Sequence, residues 1–254
     1  MARAKHQPIS GKTVSPVTAL HSQSPKARLA AWFKSPVAQG VKAQICEIGR
    51  RLWQRAYVDG NGGNLSVRVG ADLAICTPTL MSKGFMSPAD LCLVDFNGNQ
   101  ILGHRPRTSE IRVHLEIMRQ QPRALAVCHC HSPLATAFAA AGCLPPVGLI
   151  SEFEMSISIG LAPYRTPGTP EIAQLVAKLA HQHDTILMAN HGLVTWSHNH
   201  LEEAYWRVET VENYCRVLLA LRQLGKKPNR LTPAQLQDLL RFKQRQGFVD
   251  PRLP

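Results

Sequence analysis

Histidine is the commonest metal-binding side chain, and the segment Val127-Cys-His-Cys-His-Ser132 sets His129 and His131 two residues apart. The apolar lead-in Ala124-Leu-Ala-Val127 predicts a short buried strand, on which both imidazoles point to the same face. Two neutral imidazoles side by side begin a metal site; two polar residues closing a strand is the alternative that the pair alone leaves open. A third histidine, His191, ends another predicted buried strand, Thr185-Ile-Leu-Met-Ala189, and is followed by Gly192. Three histidines at strand ends can supply three nitrogens to one zinc and leave a coordination position open. Glu110 opens the helix before the first histidine strand. The helix dipole alone accounts for a carboxylate in a first turn. Beside a metal, the same carboxylate can be a fourth ligand at rest and an acid/base once substrate displaces it.

Gly60-Asn-Gly-Gly-Asn-Leu-Ser-Val-Arg68 is a glycine-rich turn running into a strand. Asn64 and exposed backbone N–H groups there could hold a phosphate, although a hairpin turn is the simpler reading of this stretch by itself. His114, His181, His183, His198 and His200 fall on helix faces or in polar loops, where solvated roles are expected. On the histidine strand, Cys128 and Cys130 face away from the imidazoles and read as core. The seven cysteines are odd in number and scattered, which suits reduced thiols better than a disulfide framework.

The elements that must position these residues follow from periodicity. Ser35-Pro36 caps a helix with a stripe of Val37, Val41, Ile45, Ile48, Leu52 and Trp53. Strands are expected at Leu73–Thr77 and Leu91–Phe96, with an Asn97-Gly98 hairpin turn to Gln100-Ile-Leu102. Helices are expected from Thr108, Ser132, Thr169, about His200 to Leu224, and Thr232–Lys243, with a strand-like passage through Pro145–Ile159 and a Pro-bounded tail at the end. Hairpins in the first half and mixed strands and helices in the second predict an α/β chain with a central, largely antiparallel sheet packed by helices.

The 254 residues carry a net charge of +12, but residues 1–46 hold seven Lys/Arg and no Asp or Glu. The excess is therefore concentrated in a basic tail, taken as residues 1–30, preceding a single catalytic domain at 31–254 with a C-terminal helix. A nucleic-acid role would rest on that tail alone and ranks last; an acidic partner for the tail is a further option, and a solubilising role is the simplest. No apolar run approaches the roughly 20 residues that cross a bilayer, and no hydrophobic signal core is seen, so a cytoplasmic address is expected.

Asn64-Leu-Ser-Val-Arg, Thr77-Pro-Thr, Thr108-Ser-Glu110, His129-Cys-His131, Ala162-Pro-Tyr, Pro167-Gly168 and Asn190-His191-Gly192 together resemble, in order and spacing, the class II aldolase/adducin family over about residues 37–245. That resemblance implies a three-layer α/β/α fold and a zinc-dependent homotetramer with active sites near subunit interfaces. It implies Zn²⁺ on His129, His131, His191 and Glu110, with Glu110 as the acid/base. It also implies a substrate phosphate cradled by Asn64, Thr79, Thr108 and Ser109 through side chains and backbone N–H groups; Lys83 is added as a cation in the same loop. The activity implied is cleavage of a deoxyketose 1-phosphate, such as fuculose or rhamnulose 1-phosphate, to dihydroxyacetone phosphate and an aldehyde. The string Cys76–Met86 is also similar to sugar-phosphate aldolases associated with bacterial microcompartments.

Two departures stand out. Leu80 occupies the place of a family glycine, so the phosphate loop is expected to differ. Ile150 occupies the place of a tyrosine proton donor, for which Glu152, Glu154 or a water would substitute. Zinc-enolate chemistry also serves epimerases, dehydratases and decarboxylases, and the adducin branch offers a non-enzymatic scaffold as a third possibility.

Overall fold

Five Ser-Pro or Thr-Pro steps start α-helices in the computed structural model, which describes residues 24–247, 250, 252 and 253. Proline presets the helical φ and lacks an N–H that would otherwise be orphaned, while the preceding hydroxyl can accept an amide of the first turn. Ser24, Ser35 and Thr232 do so, accepting from Ala27, Ala38 and Gln235.

In chain order the first half holds α1 (Pro25–Phe33), α2 (Pro36–Gln54), β1 (Asn64–Arg68), β2 (Leu73–Cys76), β3 (Cys92–Asp95), β4 (Gln100–Leu102) and α3 (Ile111–Gln120). The second holds β5 (Ala126–Cys130), α4 (Pro133–Ala140), α5 (Ser151–Ser156), β6 (Ile159–Ala162), α6 (Pro170–Leu179), β7 (Thr185–Met188), β8 (Gly192–Ser197), α7 (Leu201–Gln223) and α8 (Pro233–Arg245). The eight strands form one sheet in the order β4-β3-β2-β1-β5-β8-β7-β6, antiparallel except for the β6–β7 pair. β5 sits at its centre, between β1 and β8.

Alternation along β5 sorts its side chains between two cores. Cys128 and Cys130 join Leu65, Ile75 and Leu193 against α2, α4 and α7. Val127 joins Val94, Ile186 and Val194 against α3 and α6 on the other face. The expected three-layer α/β/α architecture is therefore present. Each fully buried Ile, Leu or Val contributes about 1.5–3 kcal/mol by leaving water, so both cores hold the central strand that carries His129. Among the described residues no helix is long and apolar enough to cross a membrane.

Several local expectations change. Residues 25–30, assigned to the basic tail, belong to α1, whose Leu29 and Trp32 pack on the core; residues 1–23 lie outside the described residues. Along α2 the buried stripe is Ala38, Lys42, Ile45, Ile48, Gly49 and Leu52, and both Val37 and Trp53 are exposed. Lys42 can lie inside because its ammonium donates to the Phe33 carbonyl at 2.8 Å. The expected strand through Pro145–Ile159 contains α5: Glu152 and Glu154 favour a helix N-terminus, and Phe153 and Ile157 recur at helical rather than strand spacing. At the C-terminus, Lys243 of α8 donates to Asp250 and to the carbonyls of Glu154 and Ile157, so this end is locked onto α5.

Candidate metal centre

β1, β5 and β8 bring their functional residues to one end of the sheet. Asn64 of β1 lies directly opposite His129 of β5, and His129 opposite Val194 of β8. His131 follows the end of β5, and His191 precedes β8 in a turn where Asn190 takes the left-handed φ of 58°. One ring nitrogen from each of His129, His131 and His191 lies within 4.8 Å of the others.

His129 Nδ1–H donates to the Leu193 carbonyl at 2.8 Å, so its Nε2 faces the cluster. That Nε2 lies 3.2 Å from His131 Nε2 and 3.3 Å from Glu110 Oε2; His191 Nε2 lies 3.2 Å from Glu110 Oε1. Buried His191 Nδ1 has no hydrogen-bond partner. Burial, with the charge of His129, pushes His131 and His191 down to about 4, so both offer lone pairs near neutral pH. Burial also acts downward on His129, but the Glu110 charge and hydrogen bond outweigh it and hold it above its ordinary value. Burial pushes Glu110 up, yet His129, His191 and the Asn64 amide hold its carboxyl well below the usual range. Three convergent imidazoles and an ionised carboxylate form a donor set that fits a divalent metal.

Glu110 is the N-cap residue of α3 rather than part of its first turn, and it is held from the sheet side. Asn64 Nδ2 donates to Glu110 Oε2 at 2.8 Å. One turn further along α3, His114 approaches Asn64 Oδ1 through Nε2 at 2.5 Å and Ser66 Oγ through Nδ1 at 2.8 Å. The expected solvated role for His114 is thus overturned: it is fully buried, because β1 supplies a partner for each ring nitrogen.

An isolated antiparallel bridge between Pro78 and Arg107 lays Thr77–Thr79 beside Pro106–Thr108, with Thr108 opposite Thr77 and Thr79 opposite Pro106. The backbone amides of Thr79 and Thr108 are already committed, to the carbonyls of Pro106 and Thr77, each at 3.0 Å. Any phosphate contact from those two residues must come from side chains, which narrows the expectation that included their N–H groups. Lys83 is not an open loop cation. It is 1% exposed and donates to the carbonyls of Asn61 at 2.9 Å and Met81 at 2.5 Å, tying the glycine-rich turn to the following loop. Burial lowers its pKa to about 8 against the opposing pull of Glu110.

A profile for the Class II Aldolase and Adducin N-terminal domain matches residues 43–219. The chain belongs to the class II aldolase and adducin family. It is 37% identical over 183 residues to an L-fuculose phosphate aldolase of Methanococcus maripaludis, covering 71% of this chain and 97% of that one. It is 32% identical over 203 residues to a 3-oxo-tetronate 4-phosphate decarboxylase of Haemophilus influenzae, covering 78% and 95% respectively. A solved L-fuculose 1-phosphate aldolase superposes with a TM-score of 0.72 at 27% identity, covering 82% of this chain and 97% of its own. This class II aldolase-family chain is an enzyme of the lyase type, in a family of metal-dependent sugar-phosphate enzymes.

Within the class II aldolase frame, the two departures resolve differently. Leu80 adopts the left-handed φ of 53°, which glycine favours, with its side chain projecting into solvent. Ile150 stays apolar, packs against the core and precedes α5. Glu154 does not replace the missing tyrosine: it is fully buried, accepting from the Gly148 amide at 2.6 Å and paired with Arg252. Glu152 is exposed, near Ser156 Oγ.

Gly192, directly after the third histidine, sits where no side chain fits. A Cβ there would sit 2.6 Å from the Cys130 carbonyl oxygen and 2.7 Å from His131 Cδ2. Gly192→Ala should destabilise the fold by about 1–3 kcal/mol through overpacking and weaken metal binding by displacing His131, read by urea denaturation and by metal titration.

His114 gives a pH signature. Burial, then the charge of His129, lowers its pKa to about 3 from 6.5, so the folded protein keeps it neutral where the unfolded chain protonates it. This contribution is complete above the unfolded value and is lost progressively as pH falls towards the folded one. Urea denaturation at about pH 7 and about pH 5 should show the metal-free wild type losing more stability than His114→Gln.

Proposed function

We propose that this chain is a zinc-dependent aldolase. It would cleave a ketose 1-phosphate, such as L-fuculose or rhamnulose 1-phosphate, to dihydroxyacetone phosphate and an aldehyde. The observation that carries this reading is the convergence of three histidine nitrogens within 4.8 Å on a carboxylate held ionised between two of them. Three imidazoles with a position left open for substrate suit zinc. His129, His131 and His191 would hold it, with Glu110 as the resting fourth ligand. Zinc bound there supplies electrophilic stabilisation of the negative charge that develops on the substrate's carbonyl oxygen.

The remaining roles fall to side chains. Paired with His129 and His191, Glu110 is a weak base; displaced from them by substrate, it regains basicity. As the C3–C4 bond breaks, the C4 hydroxyl becomes the aldehyde carbonyl and its proton would pass to the Glu110 carboxylate, directly or through water. Glu110 then delivers that proton to C3 of the three-carbon fragment, and condensation reverses both transfers. The Asn64 amide orients that carboxylate. The side chains of Asn64, Thr79, Thr108 and Ser109 bind the phosphate. The same reading takes the protein as a homotetramer in the cytoplasm or in a bacterial microcompartment.

A second reading is supported by the relatives named as 3-oxo-tetronate 4-phosphate decarboxylases, 32% identical over as much as 80% of this chain. Loss of carbon dioxide from a 3-oxo acid leaves the same kind of enolate, and it needs no proton donor at an aldehyde end, where this chain has Ile150. Product analysis by NMR separates the two. L-fuculose or rhamnulose 1-phosphate should yield dihydroxyacetone phosphate and lactaldehyde; turnover only of a phosphorylated 3-oxo acid, with carbon dioxide released, would replace the aldolase reading by the decarboxylase one.

A further inference from the structure

We propose that His114 is a positioning residue: it fixes the side-chain amide of Asn64 in the one orientation that lets Asn64 hold Glu110. The inference rests on the acid/base role proposed for Glu110 and extends it to a buried network behind the metal centre.

The network has a defined polarity. Glu110 is ionised and can only accept, so the Asn64 atom 2.8 Å from Oε2 must be the donating Nδ2. A flipped amide would set Oδ1 against the carboxylate, acceptor against acceptor. With Nδ2 committed to Glu110, Asn64 Oδ1 faces His114 Nε2 at 2.5 Å, and that nitrogen must carry the proton. A neutral imidazole then has its lone pair on Nδ1, which accepts from the Ser66 hydroxyl 2.8 Å away. Ser66, His114 and Asn64 are all buried, so no bulk water can replace a lost partner.

The fold produces this arrangement from two simple spacings. Glu110 and His114 are four apart and stack on one side of α3; Asn64 and Ser66 are two apart and share one face of β1. The asparagine amide passes no proton along the chain, so the effect on Glu110 is one of orientation and not of proton relay. Without His114, the Asn64 amide can rotate, and its acceptor can meet Glu110 for part of the time. That would misplace the carboxylate and oppose its ionised form.

Two measurements test the proposal. In protein labelled with ¹⁵N-histidine, His114 should be neutral at pH 7 with its proton on Nε2. A proton on Nδ1, or an imidazolium, overturns the proposal whatever substrate is turned over. Absence of turnover combined with the Nε2 tautomer would count against the proposed function and leave the positioning intact. The second measurement is a double-mutant cycle with thermal melting as a check on folding. His114→Leu should lower kcat on the order of tenfold with little change in KM, as for loss of one charge-linked hydrogen bond. His114→Gln, which keeps a donor towards Asn64, should recover most of that loss. In an Asn64→Ala background His114→Leu should have less than about a twofold further effect, because the amide through which His114 acts is gone. Equal losses in both backgrounds, with no recovery by glutamine, would reduce His114 to a packing residue.

Discussion

Replacing His129 by alanine should reduce metal affinity by at least about 100-fold, since even partners outside the ligand set are commonly worth 10–100-fold. His129 contributes more to the site than either of the other imidazoles. It is the innermost of the three, it touches both His131 and Glu110, and its Nδ1 is anchored to the Leu193 carbonyl. Removing it leaves two partly buried imidazoles that lack a shared buried centre. His181→Ala is the matching control, because His181 lies in a surface loop, 2.9 Å from the Gln121 amide. Elemental analysis of dialysed protein should find about one zinc per chain in the wild type and in His181→Ala, and far less in His129→Ala.

The second large effect is expected at Glu110. Glu110→Gln keeps the size of the side chain and an acceptor for Asn64 Nδ2, but it cannot take or give the C3 proton. The rate should fall by about 10²–10⁴-fold, the range for loss of a positioned acid/base group. Zinc should remain bound through the three histidines, so the loss belongs to kcat and not to metal content. Steady-state kinetics on the zinc-loaded variant, with zinc measured in the same sample, separates the two. A variant that loses its metal along with its activity would make Glu110 chiefly a ligand.

The clustering of the three histidines is legible in the sequence because they lie at strand ends. A period of two puts His129 and His131 on one face, and the apolar run before Asn190 announces a second buried strand that delivers His191. Glu110 was legible from its place before a helix. Its binding to Asn64 was not, since nothing local reveals that α3 packs across β1. For the same reason His114 reads as a polar residue on a helix face. Its burial depends on Asn64 and Ser66, roughly fifty residues earlier in the chain. A Glu-x₃-His spacing on one helix face was the available signal.

Lys83 failed as a sequence expectation for a related reason. A lysine in a loop reads as a surface cation unless backbone carbonyls converge on it, and the convergence of Asn61 and Met81 is a property of the folded loops. The phosphate cradle divides in the same way. Resemblance brought Thr79 and Thr108 to notice, but their backbone amides are taken by a bridge between two distant segments. In α2 the stripe was placed one position off at its start, leaving Val37 outside and Ala38 within, because α1 and Phe33 cover that end of the helix.

On the proposed reading, three histidines and Glu110 make this chain a metal-dependent aldolase. The most direct measurement strips the purified protein with a chelator, restores zinc in steps, and follows dihydroxyacetone phosphate released from L-fuculose and L-rhamnulose 1-phosphate through a coupled reduction. The expected result is loss of activity on stripping and recovery that saturates at about one zinc per chain. Full activity in protein shown to contain no metal, or no release from either sugar phosphate at any zinc level, would contradict it.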